Sequence, residues 1–140
     1  MKTKITLLAL TLIFSCGEYA IAQQPKPVSD IDFVRIKNGK TAEAMFYYEN
    51  NWKVFRQRAL EKGYIKSFKL LRTQADSLAD FHIVLITEYS DSIQYKAKEE
   101  NFMPIIREVA RGGPKLLNEL KPRDFVTVVF SKKAITEFED

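Results

Sequence analysis

The sequence predicts an α+β domain in which a four-stranded antiparallel sheet carries two helical regions on one face. Strand-like and helical patterns alternate along the chain in the order β-α-β-β-α-β. The run from Phe81 to Tyr89 is apolar in its middle on both strand faces, so we expect cover on two sides. An aromatic stripe between residues 41 and 62 predicts a helix that packs against the sheet.

The first strand and helix follow from side-chain spacing and turn residues. Residues 30–37 alternate as a strand does, and Asn38-Gly39 ends them in a turn. A helix is then predicted from Thr41 until Gly63 stops it. Its apolar stripe recurs at spacings of three and four and comprises Met45, Tyr48, Trp52, Phe55 and Ala59. The charged residues off this stripe are Lys53, Arg56 and Glu61.

Two further strands and a second helical region occupy the middle of the chain. Residues 64–73 predict the second strand, and a short polar segment makes it an antiparallel hairpin with the strand at Phe81–Tyr89. Asp91 caps the second helical region, and Pro104 is expected to kink or restart it. Its predicted buried side comprises Ile105, Ile106, Val109, Leu116, Leu117 and Leu120.

The fourth strand is predicted to close the domain. Residues 125–131 alternate and are apolar on both strand faces. Residues 132–140 are expected to form a short charged tail, so the predicted domain spans residues 30–131.

The first 22 residues have the three parts of an export signal. Two lysines form the positive start, and residues 5–14 form an apolar core too short to span a bilayer. Ala20-Ile21-Ala22 fits a cleavage site, so we expect a signal peptide over residues 1–22 and export to the periplasm or out of the cell. Residues 23–29, with two prolines, predict an extended linker.

A second processing route is open within the same segment. Ile13-Phe14-Ser15-Cys16 resembles the lipobox of bacterial lipoproteins, although Phe14 stands where that motif prefers a smaller residue. The alternative is therefore a lipoprotein anchored at Cys16. After simple cleavage behind Ala22 no cysteine is left, which excludes a disulfide framework and a cysteine metal site.

Composition gives no indication of nucleic acid, metal or cofactor binding. The formal net charge is +4, but basic and acidic residues are interspersed instead of clustered. One histidine and no suitably spaced acidic cluster predict no metal site. Gly112-Gly113-Pro114 lacks the ending of a phosphate loop and is interpreted as a break between helical pieces. No flavin motif, dinucleotide fingerprint or nucleophile triad occurs, so no cofactor is expected.

The element order is that of the ferredoxin-like fold. With its two-sided strands and its aromatic first helix, the chain resembles the dimeric α/β-barrel superfamily, to which small antibiotic-biosynthesis monooxygenases and EthD-like proteins belong. Helices account for one sheet face only, so a homodimer in which two such sheets pack face to face is expected. The resemblance also implies a ligand pocket between the two sheets, and a site between sheet and helices is the alternative that we consider.

His82, the only histidine, is the candidate catalytic residue. The resemblance implies a base here, because some relatives use a histidine in this pocket. With Glu88 and Arg35 nearby, His82 would take a proton from a bound substrate. The other interpretation is a strand-end residue near solvent that is hydrogen-bonded to the preceding loop.

The candidate ligand-binding residues are Arg35, Glu88, Trp52 and Tyr48. Arg35 and Glu88 are charges within otherwise apolar strands, so they either bind a ligand or reach water along their aliphatic stems. Trp52 and Tyr48 either line an apolar ligand site or pack in the core.

Three functions are compatible with these patterns. The first is an exported homodimeric domain that binds a small, partly apolar ligand. The second is a cofactor-free small monooxygenase or isomerase with His82 as base. The third is a structural or interaction module that is tethered at the cell envelope.

Overall fold

The computed structural model describes residues 25–138, and the predicted signal peptide, its cleavage site and Cys16 lie outside them. One antiparallel sheet contains β1 (Val28–Ile36), β2 (Ser67–Arg72), β3 (Ile83–Tyr89) and β4 (Val126–Ile135). The strand order is β2-β3-β1-β4, so β3 and β1 are the central strands. Together with the helices between the strands, this order is the ferredoxin-like arrangement, and the predicted fold class is confirmed.

The first helical region is continuous but contains a π-helical turn. α1 (Thr41–Tyr47) passes into the π-helical turn Tyr48–Trp52, and α2 (Lys53–Glu61) follows directly. The helix predicted to end at Gly63 is thereby confirmed, and Gly63 has a φ of 70°, which a residue with a Cβ rarely adopts. The π turn itself was not predicted.

The second helical region breaks earlier than predicted. α3 (Ser92–Lys96) and α4 (Lys98–Val109) meet at Ala97, and α4 runs through Pro104. The expectation that Pro104 restarts the helix is therefore wrong. A proline at that position removes one backbone donor, and the carbonyl it leaves free belongs to Glu100, an exposed residue that water can reach. The predicted cap is confirmed, because the Asp91 carboxylate accepts from two backbone amides at 2.8 Å.

The segment between α4 and β4 differs from its prediction in two places. Leu117 was expected to be buried but is 49% exposed, because residues 113–121 form an irregular loop in which only Leu116 and Leu120 pack on the core. Phe125 was expected to start the fourth strand, but it ends the short helix α5 (Pro122–Phe125) and is fully buried.

The sheet is longer at both ends of the domain than the sequence indicated. β4 extends to Ile135, so residues 132–135 of the predicted tail pair with residues 28–31 of β1. β1 in turn begins at Val28, within the predicted linker. Lysines dominate the start of the tail, and an edge strand tolerates them because its outer side faces water.

The helices cover one face of the sheet. The odd-numbered residues of β3, from Ile83 to Tyr89, are all buried on this side. Two core clusters lie between sheet and helices. The first cluster contains Val34, Ile36, Ala44, Tyr48, Trp52, Ile83, Leu85 and Phe125. The second contains Ala59, Ile65, Tyr89, Phe102 and Ile105.

The opposite face, which we call the uncovered face, has an apolar middle and no layer over it within the described residues. It is formed by Val84, Ile86 and Glu88 of β3, by His82 just before that strand, and by the strand neighbours Ile31, Phe33, Leu71 and Phe130. On the edge strands, Lys69 lies beside Ile86 and Lys132 beside Ile31. Leu71 is 48% and Phe130 42% exposed. Phe33 contacts the rings of Phe81 and Phe130 at centroid distances of 4.8 and 4.3 Å.

None of the helices in residues 25–138 is both long enough and apolar enough to cross a membrane.

Replacement of Ile83 by alanine is predicted to destabilise the domain by about 2–5 kcal/mol, because it empties space in the first core cluster. Ile93→Ala is the matched control, since Ile93 is 76% exposed. It should change the free energy of unfolding by no more than about 0.5 kcal/mol. Urea unfolding followed by circular dichroism measures both values, and equal losses would contradict the assignment of the core.

Candidate functional site

A cleft of about 420 Å³ opens between the helices and the half of the sheet that contains β1 and β4. The sheet contributes Asp32, Leu85, Val126, Thr127 and Val128 to its lining. The first helical region contributes Tyr47, Tyr48, Trp52, Phe55 and Arg56. Ile106 of α4 and Pro122 and Arg123 of α5 complete it. The lining is therefore mostly apolar, with a few polar groups, as is typical of a small-molecule site.

Arg56 is the main cationic group inside the cleft. Its Nε donates to the Thr87 hydroxyl at 3.2 Å, which fixes the guanidinium against the sheet. The guanidinium carbon lies 4.9 Å from the Trp52 ring centroid and 4.5 Å from that of Phe102. Burial lowers the pKa of this guanidinium, while Tyr89, Asp32 and Asp30 act in the opposite direction. Arg56 nevertheless stays charged at neutral pH.

Two β1 carboxylates approach Arg56 without forming an ion pair with it among the described residues. Asp30 is paired with Lys98, whose Nζ lies 2.6 Å from its carboxylate. Asp32 accepts a hydrogen bond from the Ser131 hydroxyl at 2.5 Å and lines the cleft. Asp30 is thus neutralised by its own cation, whereas the charge of Asp32 remains available to the cleft.

Two phenols stand beside these charges. Burial raises the pKa of the Tyr48 phenol, and the neighbouring Tyr47 and Asp32 add to the shift. Burial also raises the pKa of Tyr47. Both hydroxyls therefore stay protonated at neutral pH. In the described part of the chain neither hydroxyl makes a hydrogen bond, so each can donate to a ligand.

The π-helical turn contributes buried residues to this arrangement. A π turn contains one more residue than an α turn, so the helix after it is rotated relative to a straight α-helix. Arg56 follows Trp52 by four residues and precedes Ala59 by three, so helical spacing places it on the same side as both. Tyr48, Asn51 and Trp52 are the buried residues of the turn itself.

Asn51 clamps the irregular loop to this turn. Its amide nitrogen donates to the carbonyls of Tyr47 at 2.9 Å and Lys115 at 2.8 Å. Its amide oxygen accepts from the Lys115 backbone amide at 2.7 Å. One buried side chain thus connects the helix that lines the cleft to the loop that precedes α5.

Two of the four predicted ligand-binding residues, Tyr48 and Trp52, line the cleft. They also belong to the first core cluster, so the packing role and the lining role coincide. Arg35 and Glu88 are on the uncovered face, near opposite ends of the strands. Arg35 pairs with Asp80 at 2.9 Å, and Glu88 pairs with Lys66 at 3.5 Å. The structure therefore does not bring the four residues together.

His82 lies at the start of β3, close to the uncovered face and not in the cleft. Its Nδ1 accepts a hydrogen bond from the Ile36 backbone amide at 3.1 Å. This contact places the proton of a neutral ring on Nε2 and occupies the lone pair that a base would use. Glu88 is six residues further along the strand, about 20 Å away. His82 thus has no carboxylate partner at Glu88.

The sequence singled out neither Arg56 nor Asp32 nor Asn51 as a site residue. Arg56 was placed off the apolar stripe of the predicted helix. The sequence does contain one signal for Asp32. It is a carboxylate in the middle of β1 on the side that faces the helices, where a charged residue is unusual and can mark a site. No group of three or more potential metal-ligating side chains occurs within residues 25–138.

The fold and the cleft define a ferredoxin-like α+β domain with a ligand-sized opening between helices and sheet. No protein-family model matches the chain, and no curated protein matches it. Among solved structures it is similar to HapK from Hahella chejuensis, at 15% identity and a TM-score of 0.49, over 81% of this chain and 95% of that one. It is also similar to a dabb family protein with a ferredoxin-like fold from Mesorhizobium loti, at 12% identity and a TM-score of 0.48, over 79% and 97%.

Replacement of Asn51 by alanine is predicted to release the loop at Lys115, because three hydrogen bonds are lost at once. The free energy of unfolding should fall by about 1–3 kcal/mol, the usual effect of leaving buried polar groups without a hydrogen bond. Hydrogen–deuterium exchange should become faster at the Lys115 amide. Asn50→Ala is the control, because Asn50 donates only within its own helix. Equal exchange at Lys115 in both variants would show that Asn51 does not hold the loop.

Proposed function

We propose that this chain is a binding domain for a small, partly apolar molecule held in the cleft between helices and sheet. The observation that carries this proposal is the composition of the cleft lining. Aromatic and aliphatic walls surround a guanidinium, a carboxylate and two phenols that retain hydrogen-bonding capacity for a ligand. Such a combination supplies apolar contact area and a few orienting polar groups.

The cost of leaving this cleft empty supports the same proposal. Val128 in its lining is 52% exposed, and the neighbouring apolar side chains also border the opening. A ligand that covers this surface gains about 25 cal/mol for each Å² of apolar area removed from water. A purely structural module has no need of such an opening.

The second part of the proposal is that two copies pair through their uncovered faces. The described residues of one chain leave the apolar middle of this face without cover, and the charged pairs Arg35–Asp80 and Lys66–Glu88 lie at its margins. An apolar centre with a polar rim is typical of a protein interface. The cleft is on the other side of the sheet, so pairing leaves it open.

The third part is that the domain works outside the cytoplasm. The three-part pattern of residues 1–22 supports export to the periplasm or out of the cell. Lipid attachment at Cys16 remains the alternative to cleavage after Ala22.

The enzyme hypothesis receives no specific support from the described contacts. His82 uses its Nδ1 lone pair within the sheet and is remote from the cleft lining. Binding is therefore the function that we propose.

Val128→Phe is predicted to weaken binding of the neutral fluorescent probe N-phenyl-1-naphthylamine by at least about tenfold, because the larger ring occupies the cleft. Energy transfer from Trp52, the only tryptophan and a lining residue, reports binding. Val129→Phe is the control, since this neighbour on the same strand is 37% exposed and does not line the cleft. Equal affinity of the two variants, or no energy transfer in the unmodified protein, would refute the proposed binding site.

Ile86→Lys is predicted to convert the protein from dimer to monomer, because it places a charge in the middle of the uncovered face. The fold should persist, since Ile86 points away from both core clusters. Size-exclusion chromatography with light scattering gives the mass, and Leu78→Lys in an exposed loop is the control. A monomeric unmodified protein at micromolar concentration would contradict the proposed pairing.

A further inference from the structure

We infer that the molecule bound in the cleft is an amphiphilic anion, a small acid with a flat apolar body, whose anionic group accepts hydrogen bonds from the terminal nitrogens of Arg56. This inference rests on the proposed function and specifies its ligand. It follows from the contacts that hold Arg56, from the way the charges near it are paired, and from the apolar residues that line the cleft.

Arg56 is fixed in every direction except toward the cleft. Its Nε is occupied by the Thr87 hydroxyl, and its face contacts the rings of Trp52 and Phe102. The two terminal nitrogens make no hydrogen bond within residues 25–138, and neither belongs to the buried polar atoms that lack a partner. They are therefore accessible to solvent, and Arg56 is one of the residues that line the cleft. A planar fork of N–H donors held in this way suits a carboxylate, sulfonate or phosphate.

The pairing of the charges around Arg56 favours an anionic group at its guanidinium. The charged lining residues of the cleft are Arg56, Arg123 and Asp32. Arg123 is 88% exposed and lies 3.9 Å from the Asp124 carboxylate, so Arg56 is the cation that the cleft holds in place. The other carboxylate near Arg56, Asp30, is already paired with Lys98. Arg56 thus forms no ion pair within residues 25–138, and an anionic ligand supplies one.

The remaining groups define the rest of the ligand. Trp52, Phe55, Ile106 and Val126 offer aromatic and aliphatic surface for a flat apolar body. Asp32 keeps acceptor capacity beyond its bond from Ser131. A ligand with a hydroxyl or amino group next to its apolar body can donate to that carboxylate.

The test compares two probes with the same aromatic scaffold. 8-Anilino-1-naphthalenesulfonate carries a sulfonate, and N-phenyl-1-naphthylamine lacks it. Arg56→Met is expected to weaken binding of the sulfonate probe by at least about tenfold and that of the neutral probe by no more than about twofold, since a lost charge-assisted contact affects only the anion. Arg58→Met removes the same charge from an exposed site on the same helix, outside the cleft. It should leave both affinities unchanged.

The outcomes separate the inference from the proposed function. If Arg56→Met and Arg58→Met weaken sulfonate binding equally, or if Arg56→Met affects both probes equally while it remains folded, Arg56 is not the anion site. If the neutral probe does not bind the unmodified protein in the cleft, the proposed function itself fails.

A measurement on the unmodified protein covers the case in which Arg56→Met does not fold. There 1-naphthoate should displace the bound neutral probe at a concentration at least about tenfold lower than 1-naphthamide, its uncharged isostere. Equal displacement by acid and amide would overturn the inference without any substitution.

Discussion

The structure depends on a central strand that is apolar on both faces. β3 directs Ile83, Leu85 and Tyr89 into the helix layer and Val84 and Ile86 to the opposite side. Within residues 25–138, helices cover only one of these faces. The hydrophobic effect favours cover on the second face as strongly as on the first. The proposed pairing of two copies covers this second face without any further helix or strand, because a two-fold interface uses the same surface of both copies.

In this arrangement the two faces of the sheet have different roles. The uncovered face has paired charges at its margins, and these keep the sheet ends hydrated. The helix side combines a packed core with an opening next to β4, where short α5 and an irregular loop replace a long helix. The π-helical turn contributes Tyr48 and Trp52 to this opening, and α2 contributes Arg56, which donates to Thr87 of the sheet. Asn51 holds loop and helix together, so core packing and cleft geometry depend on the same turn.

The periodic spacing of apolar residues along the chain was sufficient to predict the fold but not the site. The two-sided run at Phe81–Tyr89 and the Asp91 cap are local signals. The cap is confirmed, and the run forms β3, although the strand begins at Ile83 and leaves Phe81 and His82 before it. Arg56 was missed because, as a charged residue, it was placed off the apolar stripe, although it follows Trp52 by four residues and precedes Ala59 by three. The end of β4 was predicted as a charged tail because of the lysines in residues 132–135. An edge strand tolerates such charged side chains, since one of its sides is exposed to water. Arg35 and Glu88 were correctly placed on strands. Their ion-pair partners Asp80 and Lys66 lie in adjoining loops, whose conformation the spacing of apolar residues does not predict.

The central claim is that ligand binding occurs on the helix side of the sheet, while the opposite face serves for pairing. It is tested most directly by nuclear magnetic resonance titration of the protein with 8-anilino-1-naphthalenesulfonate. The account predicts that the largest shifts fall on the Trp52 indole, the Arg56 guanidinium and the methyl groups of Val126 and Val128, with little change at Ile86. Shifts concentrated on Ile86 and its neighbours on the uncovered face would contradict it.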